Sequence, residues 1–181
     1  MGDSTQRVIA ASPREEATTR DAVAFVALVE PVLPAAYRFA VAMLRSKPDA
    51  EDAVQEAMAK AWRHFEKFRP GAEMKSWLLA TVANECRRQR RTRWWSVIKS
   101  GDGLEIRPHG AAEPDARQTD LRRALYRMPQ DQRLVLVLRY YLDLSFEEVA
   151  QVMKTTTKAA KSRTYRALDR LRLSPEVLAD E

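Results

Sequence analysis

The sequence has few of the residues on which covalent or metal-based frameworks depend. It contains a single cysteine, Cys86, which excludes an internal disulfide and argues against a thiolate zinc site. Its two histidines, His64 and His109, are far apart in the chain, which argues against a site built from several histidines. The five glycines form no phosphate-binding loop, and the sequence has neither a nucleophile elbow nor a paired-histidine helix motif. We therefore expect a protein that is not an enzyme and that binds no metal or other cofactor.

Long apolar runs and a leader pattern are also missing. No apolar run approaches the roughly 20 residues that a membrane span needs, and the first twenty residues lack the charged-then-apolar order of a signal peptide. We expect a soluble cytoplasmic protein without membrane insertion. The 181 residues carry a formal charge of +6, which is weak evidence for nucleic-acid binding unless the cations are clustered.

Helical periodicity dominates what the sequence does contain. Apolar residues recur over 21–43, and we expect a break at Pro31 and Pro34 because proline removes a backbone donor. Further helices are predicted over about 49–68, 74–91, 121–128, 130–142, 145–153 and 157–173. No strand pattern of useful length is present, so the predicted fold class is all-α.

Glycine and proline concentrate between the two helical blocks, within Gly101–Pro114, and this composition is typical of a linker. The predicted organisation is a flexible N-terminal tail (1–20), a first domain (21–95), a linker (96–115), a second domain (116–173) and a C-terminal tail (174–181).

The second block contains the pattern of a helix-turn-helix. Ser145 and Glu148 fit a capping box at the start of a short amphipathic helix. A turn without glycine, Lys154–Thr156, then leads to a basic helix that begins near Thr157. Small and apolar residues mark the inward side of that helix: Ala160, Thr164, Ala167, Leu168 and Leu171. A basic, solvated helix in an ordinary bundle would give a similar pattern.

These residues resemble a known family. The stretches 128–133, 138–140 and 144–150, followed by Lys161–Arg163 and Arg166-Ala167, resemble region 4 of the extracytoplasmic-function (ECF, group IV) sigma factors of the sigma-70 family. The stretch 49–56 resembles region 2.2 of the same family, and 65–68, Trp77-Leu78 and Asn84 resemble regions 2.3 and 2.4. The resemblance covers roughly 21–95 and 116–173. It implies a region 2-like bundle and a region 4-like helix-turn-helix domain joined by a flexible linker.

The resemblance implies a transcription initiation factor that binds core RNA polymerase, directs it to promoters and helps to melt the −10 region. The positions that match the polymerase-binding contacts are Asp49, Asp52, Gln55 and Glu56. Acids at a helix start also stabilise the helix dipole, and this alternative explains Asp49 well but Gln55 and Glu56 less well. An anti-sigma factor is a further expected partner, beside promoter DNA as duplex and as melted strand.

A stripe along the third helix is predicted to bind the −10 element, because an unpaired base can be stacked and read at its edge. The −10 candidates are Phe68, Lys75, Trp77, Asn84, Arg88 and Arg91. Trp77 is equally compatible with a place in the core. Cys86 shares the opposite face with Leu79 and Val82, and we interpret it as a core residue rather than a redox sensor.

The −35 element is predicted to be read by outward side chains of the basic helix. The −35 candidates are Lys158, Lys161, Ser162, Tyr165 and Arg166. One departure from the family is that Thr155–Ala160 replaces an apolar-Pro-Val-Gly-Thr-Val turn, which leaves the start of this helix and its upstream element open.

Two other functions remain as alternatives. One is a stand-alone helix-turn-helix regulator that binds operators without polymerase, usually as a dimer. The other is a nuclease that holds magnesium at Glu51 and Asp52, although adjacent residues do not face each other on a helix.

Overall fold

The computed structural model describes residues 13–68, 73–100 and 116–173, with side chains over 21–68, 73–92 and 120–173. Within these ranges the protein is helical and has no strand, which confirms the all-α prediction. The elements are α1 (Pro13–Val29), a 3-10 turn (Glu30–Val32), α2 (Leu33–Leu44), α3 (Lys47–Arg63), a 3-10 turn (Phe65–Lys67), α4 (Met74–Ser100), α5 (Ala116–Arg127), α6 (Gln130–Leu136), a π turn (Val137–Tyr141), α7 (Phe146–Met153) and α8 (Thr157–Arg172).

The predicted break near Pro31 and Pro34 is confirmed, because a 3-10 turn containing Pro31 separates α1 from α2. Each proline stands in the first turn of its element, where a missing N–H costs little. The prediction of a flexible tail is wrong for residues 13–20, which belong to α1. Proline suits the first helical position and good helix formers follow it in the sequence. Residues 1–12 lie outside the described part.

The expectation about apolar runs is also wrong, since Asp21–Leu44 is long and apolar enough to cross a membrane by length and composition alone. A core helix of a soluble protein passes the same test. Here Phe25, Val29 and Phe39 are buried within the helical core, and the 3-10 turn interrupts the segment. A search for uninterrupted apolar runs misses this segment, because charged residues and prolines divide it into short runs although its average hydropathy is high.

Two predicted helix ends are corrected. Helix α3 ends at Arg63 instead of about Phe68, and the chain tightens into the 3-10 turn that follows. Helix α4 continues to Ser100, so the first five residues of the predicted linker are helical. No glycine or proline occurs between Met74 and Ser100. The remainder of the predicted linker, 101–115, and the tail 174–181 lie outside the described residues.

Helices α2, α3 and α4 pack into the first bundle. Helix α3 places a row of buried alanines against its neighbours, and small side chains allow close approach of the helix axes. Facing them, α4 buries Leu79, Val82 and Cys86 completely. This full burial confirms the interpretation of Cys86 as a core residue, and it raises the pKa of the thiol to about 12.

The second bundle contains the predicted helix-turn-helix. The capping box is present, since the Ser145 hydroxyl accepts from the Glu148 backbone N–H and the Glu148 carboxylate accepts from the Ser145 N–H. Helices α7 and α8 pack on each other and α8 packs on α6. The two-domain, all-helical architecture is therefore as predicted.

The sequence did not predict that the two bundles pack against each other. Helix α4 contacts α7, and α2 contacts both α6 and the short π-helix Val137–Tyr141. One buried apolar core therefore extends through both bundles. Arg133 is buried at this junction and donates to the carbonyl oxygens of Met43, Tyr126 and Met128. Burial lowers the pKa of Arg133 to about 10, so the guanidinium is still charged at neutral pH.

Candidate polymerase and nucleic-acid interfaces

The predicted polymerase-binding residues share the outer side of α3. Asp52 and Gln55 are exposed, whereas Asp49 and Glu56 are partly buried. The backbone N–H of Asp49 donates to the Ser46 hydroxyl, which caps the helix. Glu56 lies 3.5 Å from Lys60 Nζ and 3.6 Å from an Arg63 terminal nitrogen. The patch therefore presents the exposed carboxylate of Asp52 and the exposed amide of Gln55, while Glu56 is paired with two cations.

Phe68 and Trp77 belong to a row of aromatic rings that packs against the core within the first bundle. The Phe68 ring lies 6.0 Å from Phe65 and 5.4 Å from Trp77, and Phe65 in turn lies 5.2 Å from Phe25. Both Phe68 and Trp77 are partly buried and pack against the core. Trp77 therefore packs against the core, as one of the two alternatives expected, and it also keeps partial exposure, so its contact with DNA is still a prediction.

The stripe on α4 is exposed where nucleic-acid binding requires it. Asn84, Arg88 and Arg91 lie at the surface, opposite the fully buried face of the same helix. An amide can read a base edge and guanidinium groups can bind phosphates. The structure thus brings an amide and two cations together on one side of one helix.

Sequence reasoning missed Glu85, which is among the few charged residues buried in the described part of the chain. Its carboxylate accepts hydrogen bonds from Lys60 Nζ on α3 at 2.5 Å and from Arg88 Nε at 2.7 Å. Burial raises the pKa of Glu85, but the bonds from Lys60 and Arg88 outweigh burial and hold it below its ordinary value. The only local signal was an acid three residues before Arg88.

One of the −10 candidates bonds to the second bundle directly, and another is linked to it through a neighbour on α4. Lys75 Nζ donates to Glu148 of α7 at 3.0 Å. Asn84 accepts from Arg87 at 3.2 Å, and the same guanidinium donates to Asp131 of α6 at 3.1 Å. Glu148 therefore pairs with one group on α4 that is expected to bind DNA, and Asp131 pairs with the arginine that bonds another.

Helix α8 has a buried side and a polar, cationic side, as predicted. Ala160, Thr164 and Ala167 are buried. All five of the −35 candidates are exposed: Lys158, Lys161, Ser162, Tyr165 and Arg166. Arg166 Nε donates to the Ser162 carbonyl at 3.3 Å, one turn earlier on the same helix. The Tyr165 ring lies 6.3 Å from Phe146 of α7.

The turn that departs from the family pattern has a defined geometry. Lys154 takes the left-handed conformation at φ 50°, at the position where a helix commonly ends on glycine. Thr156 then caps α8 by accepting from the Ala159 N–H at 3.2 Å. Helix α8 therefore begins at Thr157, although the turn contains no glycine.

The comparisons with known proteins agree with this architecture. Residues 28–96 match the family model of Sigma-70 region 2, and residues 118–171 match that of Sigma-70, region 4. The chain is 32% identical over 141 residues to "RNA polymerase sigma factor SigV" of Bacillus subtilis, which covers 76% of this chain and 82% of that protein. It is 30% identical to "ECF RNA polymerase sigma factor EcfG" of Rhodopseudomonas palustris, over 77% of this chain and 78% of that one.

Among solved structures, the fold resembles the sigma factor RpoE of Bartonella quintana, which was crystallised in complex with the anti-sigma factor NepR. The TM-score is 0.67 at 31% sequence identity, over 83% of this chain and 94% of that one. The chain belongs to the ECF sigma factors, the non-catalytic initiation factors that bind core RNA polymerase and direct it to specific promoters.

Proposed function

We propose that three surfaces divide the work of promoter recognition in this sigma factor. The outer side of α3 binds core polymerase, the stripe on α4 holds the melted −10 strand, and the outward side of α8 reads the −35 duplex. The observation that carries the proposal is the exposure of Asn84, Arg88, Lys161 and Arg166 on helices whose opposite faces are buried.

At the −10 element the required chemistry is capture of an unpaired base. The accessible part of Trp77 offers an aromatic surface and Asn84 offers both a donor and an acceptor. Arg88 and Arg91 lie along the same side of α4 and supply charge for the phosphates of the strand. No bond is made or broken by the protein, so binding energy alone stabilises the melted state.

At the −35 element α8 enters the major groove as a recognition helix. Arg166 and Lys161 present donors suited to guanine edges or phosphates. Ser162 and Tyr165 add hydroxyl groups, and Lys158 in the first helical turn adds a further cation. Because Phe146 packs near Tyr165, helix α7 helps to fix the position of that ring.

On α3 the exposed Asp52 and Gln55 offer a carboxylate and an amide to basic side chains of the polymerase. Glu56 joins this contact while it is tied to Lys60 and Arg63. Asp49 stands at the edge of the patch, in the first turn of the helix.

The packed arrangement of the two bundles is the form of the chain away from DNA. Lys75 is paired with Glu148, and Asn84 is linked through Arg87 to Asp131. These contacts have to break before the same groups meet the melted strand. All of them are partly solvent-exposed, so their separation costs little electrostatic energy.

An anti-sigma factor is a proposed partner, because RpoE of Bartonella quintana is held by one and shares this fold at 31% identity. We place the activity in the cytoplasm, where core polymerase and chromosomal DNA are found.

The decisive experiment combines the purified chain with core polymerase and a promoter library, followed by mapping of the transcripts. We expect promoter-specific initiation that depends on the chain and weak DNA binding by the chain alone. Tight operator binding alone without specific transcripts would favour the stand-alone regulator. Metal-dependent cleavage of DNA by the purified chain would favour the nuclease.

A further inference from the structure

Glu85 occupies an unusual place for a charged side chain, because it is sealed between α3 and α4. Its side chain is 4% exposed, yet it accepts hydrogen bonds from cations on both helices. A buried carboxylate is strongly unfavourable unless it is paired. Lys60 and Arg88 together supply this pairing, and the carboxylate in turn constrains both side chains.

The pairing determines how Arg88 is presented. Arg88 is about half exposed, and it uses Nε to bond Glu85. A guanidinium that donates through Nε keeps N–H groups of its terminal amino groups available to a second ligand, in a plane that the first bond fixes. An unrestrained arginine would lose more side-chain entropy when it binds a phosphate. Glu85 thus supplies the orientation in advance of binding.

Lys60 links Glu85 to the proposed polymerase-binding surface on α3. Its ammonium meets Glu85 and also lies 3.5 Å from Glu56 on the outer side of α3. Glu56, Lys60, Glu85 and Arg88 therefore form a continuous series of alternating charges. One end belongs to the proposed polymerase surface and the other end belongs to the proposed −10 surface.

We infer that Glu85 is a positioning residue for promoter melting: it touches neither DNA nor polymerase, and it holds the Arg88 guanidinium in the orientation that binds the melted strand. The inference rests on the proposed assignment of Arg88 to the −10 element. A purely structural role, in which Glu85 only links α3 to α4, makes different predictions for binding.

The test is a double-mutant cycle in the holoenzyme, with Glu85→Met, Arg88→Ala and the double variant. Met approximates the volume of Glu but offers no acceptor to Arg88. The probe is a fluorescent single strand that carries the −10 sequence of a promoter mapped by transcription. We expect each single change to weaken binding about fivefold to tenfold, and the double variant to bind no worse than Arg88→Ala alone, because the two act through one contact.

Two further variants separate orientation from stability. Glu85→Gln retains an acceptor oxygen for Arg88 Nε and is expected to recover part of the affinity that Glu85→Met loses. Asp120→Ala removes the acceptor of a pair of the same spacing, between Asp120 and Arg123 on α5 at 2.9 Å, and is expected to leave binding of the −10 strand unchanged.

The outcomes are distinguishable. Equal losses from Glu85→Met with and without Arg88 would show a structural role and overturn the inference. Normal binding by Glu85→Met, together with weak binding by Arg88→Ala, would overturn the inference and leave the proposed −10 surface intact. Normal binding by Arg88→Ala would overturn both, while promoter-specific transcription would still establish the sigma activity.

Discussion

Arg133 of the second bundle donates a hydrogen bond of 3.1 Å to the main-chain carbonyl of Met43, near the end of α2 in the first bundle. The same guanidinium donates to Tyr126 and Met128 within its own bundle. One buried cation therefore satisfies carbonyl groups on both sides of the junction. Tyr126 reinforces the contact, because its hydroxyl donates to the Ala42 carbonyl at 2.8 Å.

We predict that Arg133→Met lowers the free energy of unfolding by about 2–3 kcal/mol, since it leaves buried carbonyl groups without donors. Urea unfolding followed by circular dichroism measures the change. The control is Arg123→Met, which removes an exposed arginine of α5 and is expected to change stability by less than about 0.5 kcal/mol. Equal stabilities for the two variants would contradict the role assigned to Arg133.

Lys154 holds a left-handed conformation that glycine adopts without steric cost. We predict that Lys154→Gly raises the free energy of unfolding by about 0.5–1 kcal/mol, because the strain of a residue with a Cβ atom is relieved. Lys158→Gly, within α8, is the matched control and is expected to lower stability by about 1 kcal/mol. Destabilisation by Lys154→Gly would show that the lysine side chain makes a compensating contact.

Arg166→Ala tests whether α8 reads bases. If Arg166 bonds a guanine edge, its loss weakens binding to the −35 duplex by about 1–3 kcal/mol and affects a random duplex much less. Fluorescence anisotropy with the two duplexes measures both affinities. Arg172→Ala, at the end of the same helix, is the control. Equal losses on both duplexes would show that Arg166 binds phosphate only.

The stability of the protein is expected to fall in acid because of Glu85 and Glu148. Burial raises the pKa of each, but for Glu85 the bonds from Lys60 and Arg88, and for Glu148 those from Ser145 and Lys75, hold the pKa below its ordinary value of 4.5. Their charged forms stabilise the fold fully above that value, and this contribution is lost as the pH falls through the lower folded pKa.

Urea unfolding between pH 7 and pH 3 measures this dependence. Glu85→Gln is expected to be less stable at neutral pH and to lose less stability in acid. The exposed Glu66→Gln is the control, and an equal flattening of its pH profile would contradict the assignment to Glu85.

The features that the sequence predicted are those whose causes are local. The capping box at Ser145 and the proline break at Pro31 depend on residues within one helical turn, and both are present. The exposed and buried sides of α8 follow from helical spacing alone. The assignment of individual residues to polymerase, −10 and −35 contacts is still a prediction.

The features that it missed depend on distant partners. Glu85 reads as a surface charge on α4 because its second partner, Lys60, is 25 positions away on another helix. Arg133 reads as an ordinary helix cation, since the Met43 carbonyl lies 90 positions earlier. Contacts of this range depend on how whole helices pack, which a periodic pattern does not contain.

Glu148 uses its two oxygens for different purposes: one accepts from the Ser145 N–H and the other from Lys75 on α4. Because each oxygen has its own donor, Lys75 can leave without disturbing the first turn of α7. The ion pair between Lys75 and Glu148 can therefore break and re-form, and the capping of α7 within the helix-turn-helix is preserved in both states.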